Sequence, residues 1–255
     1  MIGIIGFGKM GRAIADGLAK KGFQVMVKDK EPLGLSSMKE AKSLAEMLQC
    51  SAIIIAVKPK DVEPLLREIK AAASSQQPLF ISIAAGKTLS YFESILGARK
   101  IIRAMPNLSA RVGKSATCFC ANSQVETADI AIAKEIFSSI GICLQVEESQ
   151  LDAVTALSGS GPAYYFYFTQ KLAEAGVSAG LDAKTALTLA RQVLSGSALL
   201  SDSSGKSLEE MVKEVATPGG TTEAALSIFD KEKIPAIFGK ALKAARERSK
   251  EQAKK

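Results

Sequence analysis

The run Met1-Ile2-Gly3-Ile4-Ile5-Gly6-Phe7-Gly8-Lys9-Met10-Gly11 decides the fold. Its apolar opening reads as a strand, and it leads directly into a G-x-G-x-x-G turn that opens a helical pattern. In such a turn the first glycine makes the tight bend and the second lets a pyrophosphate approach the backbone. The third lets the helix pack closely on the strand. A second β-rich run, 24–28, ends at Asp29, eighteen residues past Gly11, where a carboxylate can accept from a ribose 2′-OH. Lys28 and Lys30 flank it and offer cations to a 2′-phosphate, so the sequence leaves NADH and NADPH both open. Gly6, Phe7, Gly8, Lys9, Met10, Gly11 and Asp29 are therefore candidate cofactor contacts.

Further along, short β-rich runs alternate with helical patterns. Strands are expected at 2–5, 24–28, 52–57, 79–83, 100–104, 115–120 and 142–146, and helices at 9–21, 39–48, 61–73, 89–96 and 125–140. That alternation predicts an α/β, doubly wound, mostly parallel sheet. Two loops follow strand C-terminal ends, where ligands bind in open α/β sheets: Ala56-Val57-Lys58-Pro59 and Ser82-Ile83-Ala84-Ala85-Gly86. After about residue 148 the strand signal stops. Helices are expected at 151–157, 162–176, 183–200, 208–215, 222–229 and 235–250, separated by Gly, Ser and Pro turns. The change of class places a boundary between a dinucleotide-binding domain, 1–148, and an all-α domain, 149–255.

Composition narrows the chemistry. The chain has 255 residues, 47% of them hydrophobic and 23% charged, in the ordinary range for a globular protein. Its apolar runs are too short to span a bilayer, and the opening strand leaves no positively charged leader region, so a cytoplasmic protein is expected. The formal net charge is +7. Residues 240–255 hold seven Lys and Arg against two Glu, or +5, which reads as a solvated helix end rather than a nucleic-acid surface. There is no histidine, which removes Ser-His-Asp and Cys-His catalysis and any histidine to complete a zinc site with Cys50, Cys118, Cys120 or Cys143. Reduced thiols and no metal are expected. Any proton donor must be a hydroxyl, a carboxyl, a lysine or water.

Two glycine-rich stretches feed helices in the second half. Thr217-Pro218-Gly219-Gly220-Thr221-Thr222 precedes an apolar-periodic segment, and the free amides and dipole of a helix start favour a carboxylate or phosphate there. Ser158-Gly159-Ser160-Gly161-Pro162 reads as a second such loop, with Pro162 in the first turn. The helix carrying Tyr164-Tyr165-Phe166-Tyr167-Phe168 is apolar all round, which predicts burial in a core, a pocket wall or a subunit interface.

These motifs, with Arg103-Ala104-Met105-Pro106-Asn107, occur in the order seen in pyrroline-5-carboxylate reductases, and the chain resembles that family over nearly its whole length. The resemblance implies a Rossmann domain followed by a helical domain that interlocks two subunits, with dimers often associating into decamers. It implies reduction of 1-pyrroline-5-carboxylate, a small imino acid, to L-proline by hydride from NADPH or NADH, the last step of proline synthesis. It further implies that Thr217, Gly219, Gly220 and Thr221 hold the substrate carboxylate and that Thr222 lies beside the imine nitrogen, as a hydrogen-bond partner or proton relay. Glu148 would reach the cofactor, and Ser43 would stand near the adenine-side ribose. Ala56, Val57, Lys58, Pro59, Ala84, Ala85 and Gly86 would line the cofactor. The chain departs from the family pattern at Leu108-Ser109, where Thr-Pro is usual, and at Gly205-Lys206-Ser207-Leu208, where Gly-Glu-His-Pro is usual. Asp29 is also unusual for the family. Alternatives are a reductase of a related cyclic imino acid and a non-catalytic dinucleotide-binding protein of the same fold.

Overall fold

The computed structural model describes residues 1–33, 38–72 and 77–253. Eight strands form one sheet: β1 (Ile2–Ile5), β2 (Val25–Lys28), β3 (Lys39–Glu40), β4 (Ala52–Ile55), β5 (Leu79–Ser82), β6 (Ile101–Met105), β7 (Ser115–Ala121) and β8 (Gly141–Gln145). Their order is β3-β2-β1-β4-β5-β6-β7-β8. All neighbours run parallel except β6 and β7, which pair antiparallel with Arg103 opposite Cys120. The order reverses between β1 and β4, the switch point at which α/β folds open a ligand crevice beyond the strand ends.

The helices of this region are α1 (Lys9–Lys20), α2 (Leu44–Met47), α3 (Pro59–Ala71), α4 (Leu89–Leu96), α5 (Thr127–Ser138) and α6 (Leu151–Val154). Strand periodicity sorts side chains onto two apolar faces. Ile2, Ile4, Val25, Val27, Ile54 and Ile81 pack with Ile14 and Leu18 of α1 and Phe137 of α5. Met26, Ile53, Ile55 and Phe80 pack on the other face with Leu66 of α3 and Phe92 of α4. Strands covered on both faces read as continuous apolar runs, which is why β1, β4 and β5 were legible.

Two expected elements differ. The helix expected over 39–48 is a two-residue edge strand followed by one turn of helix, α2, capped by Ser43. Lys39 and Glu40 sit in register with Met26 and Val27, and pairing with β2 overrides their helical propensity. The end expected at residue 73 lies outside the described residues. The loop expected at 158–162 is instead helical. A π turn, Thr155–Gly159, follows α6, with the Ser160 amide donating to Thr155 O at 2.9 Å. Such turns insert one residue into a helix and recur at functional sites.

Beyond it lie α7 (Gly161–Ser178), α8 (Ala183–Ser204), α9 (Leu208–Val215), α10 (Thr221–Lys231) and α11 (Ile234–Ala253). The chain divides into two compact units, Met1–Ser160 with Ala244–Lys255, and Gly161–Lys243. In the first unit, Ser249 near the end of α11 donates to Asp152 Oδ1 of α6 at 2.7 Å. The second unit has little core of its own. Its buried hydrophobic residues, among those described, are Ala173, Ala186 and Ala190. Tyr165, Phe166, Tyr167 and Phe168 are all exposed, as are Leu189, Val193 and Phe229. The aromatic run of α7 therefore does not fill an intramolecular core, and a helical unit this apolar outside requires a covering surface.

Candidate cofactor and substrate sites

Candidate cofactor residues all fall in the first unit, and those expected to hold substrate fall in the second. At the β1–α1 turn Gly6 has φ +97°, a conformation open to glycine, and a Cβ there would lie 2.7 Å from the Ala56 backbone. A Cβ on Gly11 would lie 2.0 Å from Gly6 O. Both glycines are thus required by the protein's own packing. Gly8 is different: a Cβ on it would meet nothing within 4 Å. The fold does not need glycine at position 8, whereas a pyrophosphate approaching the backbone does.

Gly8 is also the N-cap of α1, so no side chain caps the first amides of that helix. By contrast, α2, α4, α8 and α9 are capped by Ser43, Thr88, Asp182 and Ser207. The start of α1 has no such cap and leaves its first amides open, as does α3, whose N-cap Lys58 makes no side-chain bond. Lys9 is exposed and Met10 half-buried in that first turn. A cavity of about 460 Å³ runs from Phe7, Gly8 and Lys9 past Arg12 toward Lys20, with Arg111 on its wall. Lys9, Arg12, Lys20 and Arg111 outnumber the one carboxylate of the lining, Asp16, a balance that suits an anion.

Asp29 closes the turn from the side. Its Oδ2 accepts from the Phe7 amide at 2.5 Å and its Oδ1 from the Lys30 amide at 2.7 Å. The carboxylate is therefore held beside the glycine turn at the end of β2. Ala56 and Val57 follow β4, with the Ala56 amide bonded to Ile5 O at 2.8 Å, which brings this loop against the glycine turn. Lys58 is the N-cap of α3 and Pro59 its first residue. Ser43 is exposed on α2, where its Oγ accepts from the Glu46 amide at 3.2 Å.

The structure also draws Glu148 to the loop carrying Ala84, Ala85 and Gly86. Glu148 Oε1 accepts from the Leu89 amide at the start of α4, 2.8 Å away, and from Arg103 Nη1 at 3.1 Å. Arg103 is 5% exposed, so its guanidinium is a buried cation whose charge Glu148 balances. The same burial pushes the neighbouring Cys120 thiol up to about 12, with the Glu148 charge adding to the effect. Arg103 belongs to the Arg103–Asn107 motif, to which the sequence alone gives no site role. Its signal in the sequence was a lone arginine inside an apolar strand.

Asn107 ties the π turn to the sheet. Its Nδ2 donates to Ser158 O at 3.1 Å, and Ser158 Oγ donates to Ala116 O at 2.6 Å. The contact joins two residues that stand in separate motifs of the sequence.

In the second unit the 217–222 stretch forms a tight nest. Gly219 has φ +70°, and the Gly220 amide donates to Thr217 O at 2.9 Å. Thr217 Oγ1 stands 2.6 Å from where a Gly220 Cβ would be, so only glycine lets that hydroxyl lie over the helix mouth. Gly220 is the N-cap of α10, again with no side-chain cap, which leaves the amides of Thr221 and Thr222 in the opening. The structure thus brings Thr217, Gly219, Gly220, Thr221 and Thr222 together. It adds Glu223, whose Oε2 accepts from the Gly219 amide at 2.8 Å and which the sequence reading had not singled out. Lys206 pairs with Glu214 across the α8–α9 turn.

A doubly wound sheet, a glycine turn open to a pyrophosphate and a carboxylate at the end of β2 define a nicotinamide-dinucleotide oxidoreductase. Comparison with known proteins agrees. Residues 1–86 match the family model for NADP oxidoreductase, coenzyme F420-dependent, and residues 148–252 match the one for pyrroline-5-carboxylate reductase dimerisation. A pyrroline-5-carboxylate reductase of Methanosarcina acetivorans is 37% identical over 100% of this chain and 98% of its own length. Among solved structures, the Coxiella burnetii pyrroline-5-carboxylate reductase aligns with TM-score 0.92 and 33% identity, covering 100% of this chain and 98% of that one. A Plasmodium falciparum pyrroline carboxylate reductase, with NADP bound, gives 0.85 and 31%, covering 99% and 97%. The chain belongs to the pyrroline-5-carboxylate reductase family. The dimerisation match accords with the uncovered apolar faces of the helical unit, so the protein is an oligomer. Among the described residues no helix is long and apolar enough to cross a membrane.

Proposed function

We propose that this protein reduces 1-pyrroline-5-carboxylate to L-proline with NADH or NADPH as reductant. The observation that carries the reading is the pair of glycine N-caps, Gly8 on α1 and Gly220 on α10. Both leave amides open in a chain that caps four other helices with side chains.

When bound, the reduced nicotinamide supplies the hydride that adds to the C=N carbon. The chain's own residues bind and orient. Gly6, Phe7, Gly8, Lys9, Met10 and Gly11 hold the pyrophosphate. Asp29 and Ser43 serve the adenosine ribose, and Ala56, Val57, Lys58, Pro59, Ala84, Ala85 and Gly86 line the crevice. Glu148, anchored by Arg103, lies beside this lining. Thr217, Gly219, Gly220 and Thr221 hold the substrate carboxylate on amides and hydroxyls, and Thr222 Oγ1 hydrogen-bonds at the imine nitrogen.

No histidine is available as an acid, and a threonine hydroxyl is far too weak an acid to protonate an imine unaided. The substrate therefore enters as the iminium formed in solution, and reduction leaves its nitrogen as the neutral amine of proline. The residues contribute position rather than proton transfer, which is where effective concentration acts.

We place the functional boundary at residue 148, with 149–255 providing substrate binding and the dimer contact. Dimers built on this region, associating further into decamers, form the proposed assembly, in the cytoplasm. Purified protein mixed with 1-pyrroline-5-carboxylate should consume reduced nicotinamide and form L-proline in equal amounts. Absence of consumption with both NADH and NADPH would overturn the reading.

A further inference from the structure

The end of β2 carries three charged residues in succession, Lys28, Asp29 and Lys30. The Asp29 carboxylate is tethered by the Phe7 and Lys30 amides, 2.5 and 2.7 Å away. Each oxygen uses one lone pair in this way and retains another for a ribose hydroxyl. Lys30, the cation next along, is turned away from it: Nζ lies 2.7 Å from Asp61 Oδ1, in the first turn of α3. Lys28, on the other side of Asp29, is half-buried in β2 in register with Ile5.

A dinucleotide seated on the glycine turn places its adenosine ribose at the end of β2. A 2′-hydroxyl there finds an acceptor. A 2′-phosphate finds a carboxylate fixed in place, and the adjacent Lys30 already paired with Asp61. Moving Asp29 away would break its bond to Phe7 in the turn itself, so the repulsion cannot be relieved by a simple side-chain rotation.

We propose that Asp29, Lys30 and Asp61 form a selectivity device that makes NADH the preferred cofactor. Asp29 takes the ribose 2′-hydroxyl, and Asp61 withholds Lys30 from a 2′-phosphate. Asp61 acts only through Lys30 and is a positioning residue. The inference rests on the cofactor half of the function proposed above and not on the imine.

The test is titration of the purified oligomer with NADH and NADPH separately, without imine, followed by nicotinamide fluorescence. Wild-type protein should bind NADH at least tenfold more tightly than NADPH. Asp29→Asn keeps a carbonyl oxygen for the Phe7 amide but removes the charge, and should shrink the ratio severalfold. Asp61→Asn should tighten NADPH more than NADH by releasing Lys30, and Lys30→Ala added to it should cancel that gain. The double variant identifies Lys30 as the agent, which a merely structural role for Asp61 would not do. Equal or tighter binding of NADPH by wild type, or an unchanged ratio in Asp61→Asn, would overturn the proposal. If NADH is preferred but no imine is reduced, the proposed function fails and this inference stands. If neither cofactor binds, both fall.

Discussion

Replacing each glycine of the β1–α1 turn by alanine separates residues the fold needs from the one proposed to admit the cofactor. At Gly11 the new Cβ would sit 2.0 Å from Gly6 O and 3.1 Å from Gly6 C, both backbone atoms that cannot rotate away. At Gly6 it would meet Ala56 C and O at 2.7 Å, in a residue already at φ +97°. Either change forces strand and helix apart and should cost about 2–4 kcal/mol of stability, the range for overpacking combined with strain at a special φ. At Gly8 the Cβ meets nothing, and φ is −69°, which alanine adopts freely. The folding cost there is that of alanine at an N-cap, about 1 kcal/mol at most. The methyl would, however, hold a pyrophosphate away from the α1 amides. Losing one such charge-assisted hydrogen bond costs about 1.5–3 kcal/mol, or roughly 10- to 150-fold in affinity. Urea denaturation and fluorescence titration with NADH measure the two effects independently. Gly8→Ala should fold nearly as wild type and bind cofactor at least tenfold more weakly, and Gly11→Ala should unfold at distinctly lower urea. Cofactor affinity within twofold of wild type in Gly8→Ala would refute the assignment of that open space to a pyrophosphate.

Other consequences are equally concrete. Thr222→Ala should leave cofactor affinity unchanged and lower kcat/KM for the imine by about 10-fold, the size of one neutral hydrogen bond in a site; steady-state kinetics would expose an unaltered variant. Tyr165 and Phe166 are 65% and 60% exposed on α7, and covering such side chains is worth about 1.5–3 kcal/mol each. Tyr165→Ser with Phe166→Ser should therefore shift sedimentation toward smaller species at micromolar concentration, and an unchanged profile would place the interface elsewhere. The Cys120 thiol is neutral in the fold and raised from 9.0 to about 12 by burial first and the Glu148 charge second. A raised folded-state value means that its contribution is complete below about pH 9 and is lost as pH rises toward 12. Cys120→Ala should accordingly lose less thermal stability than wild type between pH 8.5 and 10.5; parallel Tm curves would argue against this.

Much of the first unit was legible because its strands are buried on both faces, so β1, β4 and β5 declare themselves as apolar runs in order. The short edge strand β3 was not, since Lys39 and Glu40 carry no apolar signal and are strands only by pairing with Met26 and Val27. Nor was the π turn at Thr155–Gly159, because glycine and serine read as loop until Asn107 and Ala116 hold Ser158 in place. Among candidate site residues, the glycine turn and the 217–222 nest were visible from local chemistry alone. The tethering of Asp29 to Phe7, the ion pair that withdraws Lys30 and the Arg103–Glu148 contact join residues 22, 31 and 45 positions apart. No local pattern encodes such contacts. The aromatic run of α7 reads as needing burial from its composition alone, and within one chain Tyr165, Phe166, Tyr167 and Phe168 remain exposed.

The most direct measurement follows the hydride itself. With 1-pyrroline-5-carboxylate and nicotinamide cofactor carrying deuterium at the transferable C4 position, the L-proline formed should be one mass unit heavier, with the label on C5. Unlabelled proline, or cofactor left unoxidised beside intact imine, would contradict the assignment of this chain as an imine reductase.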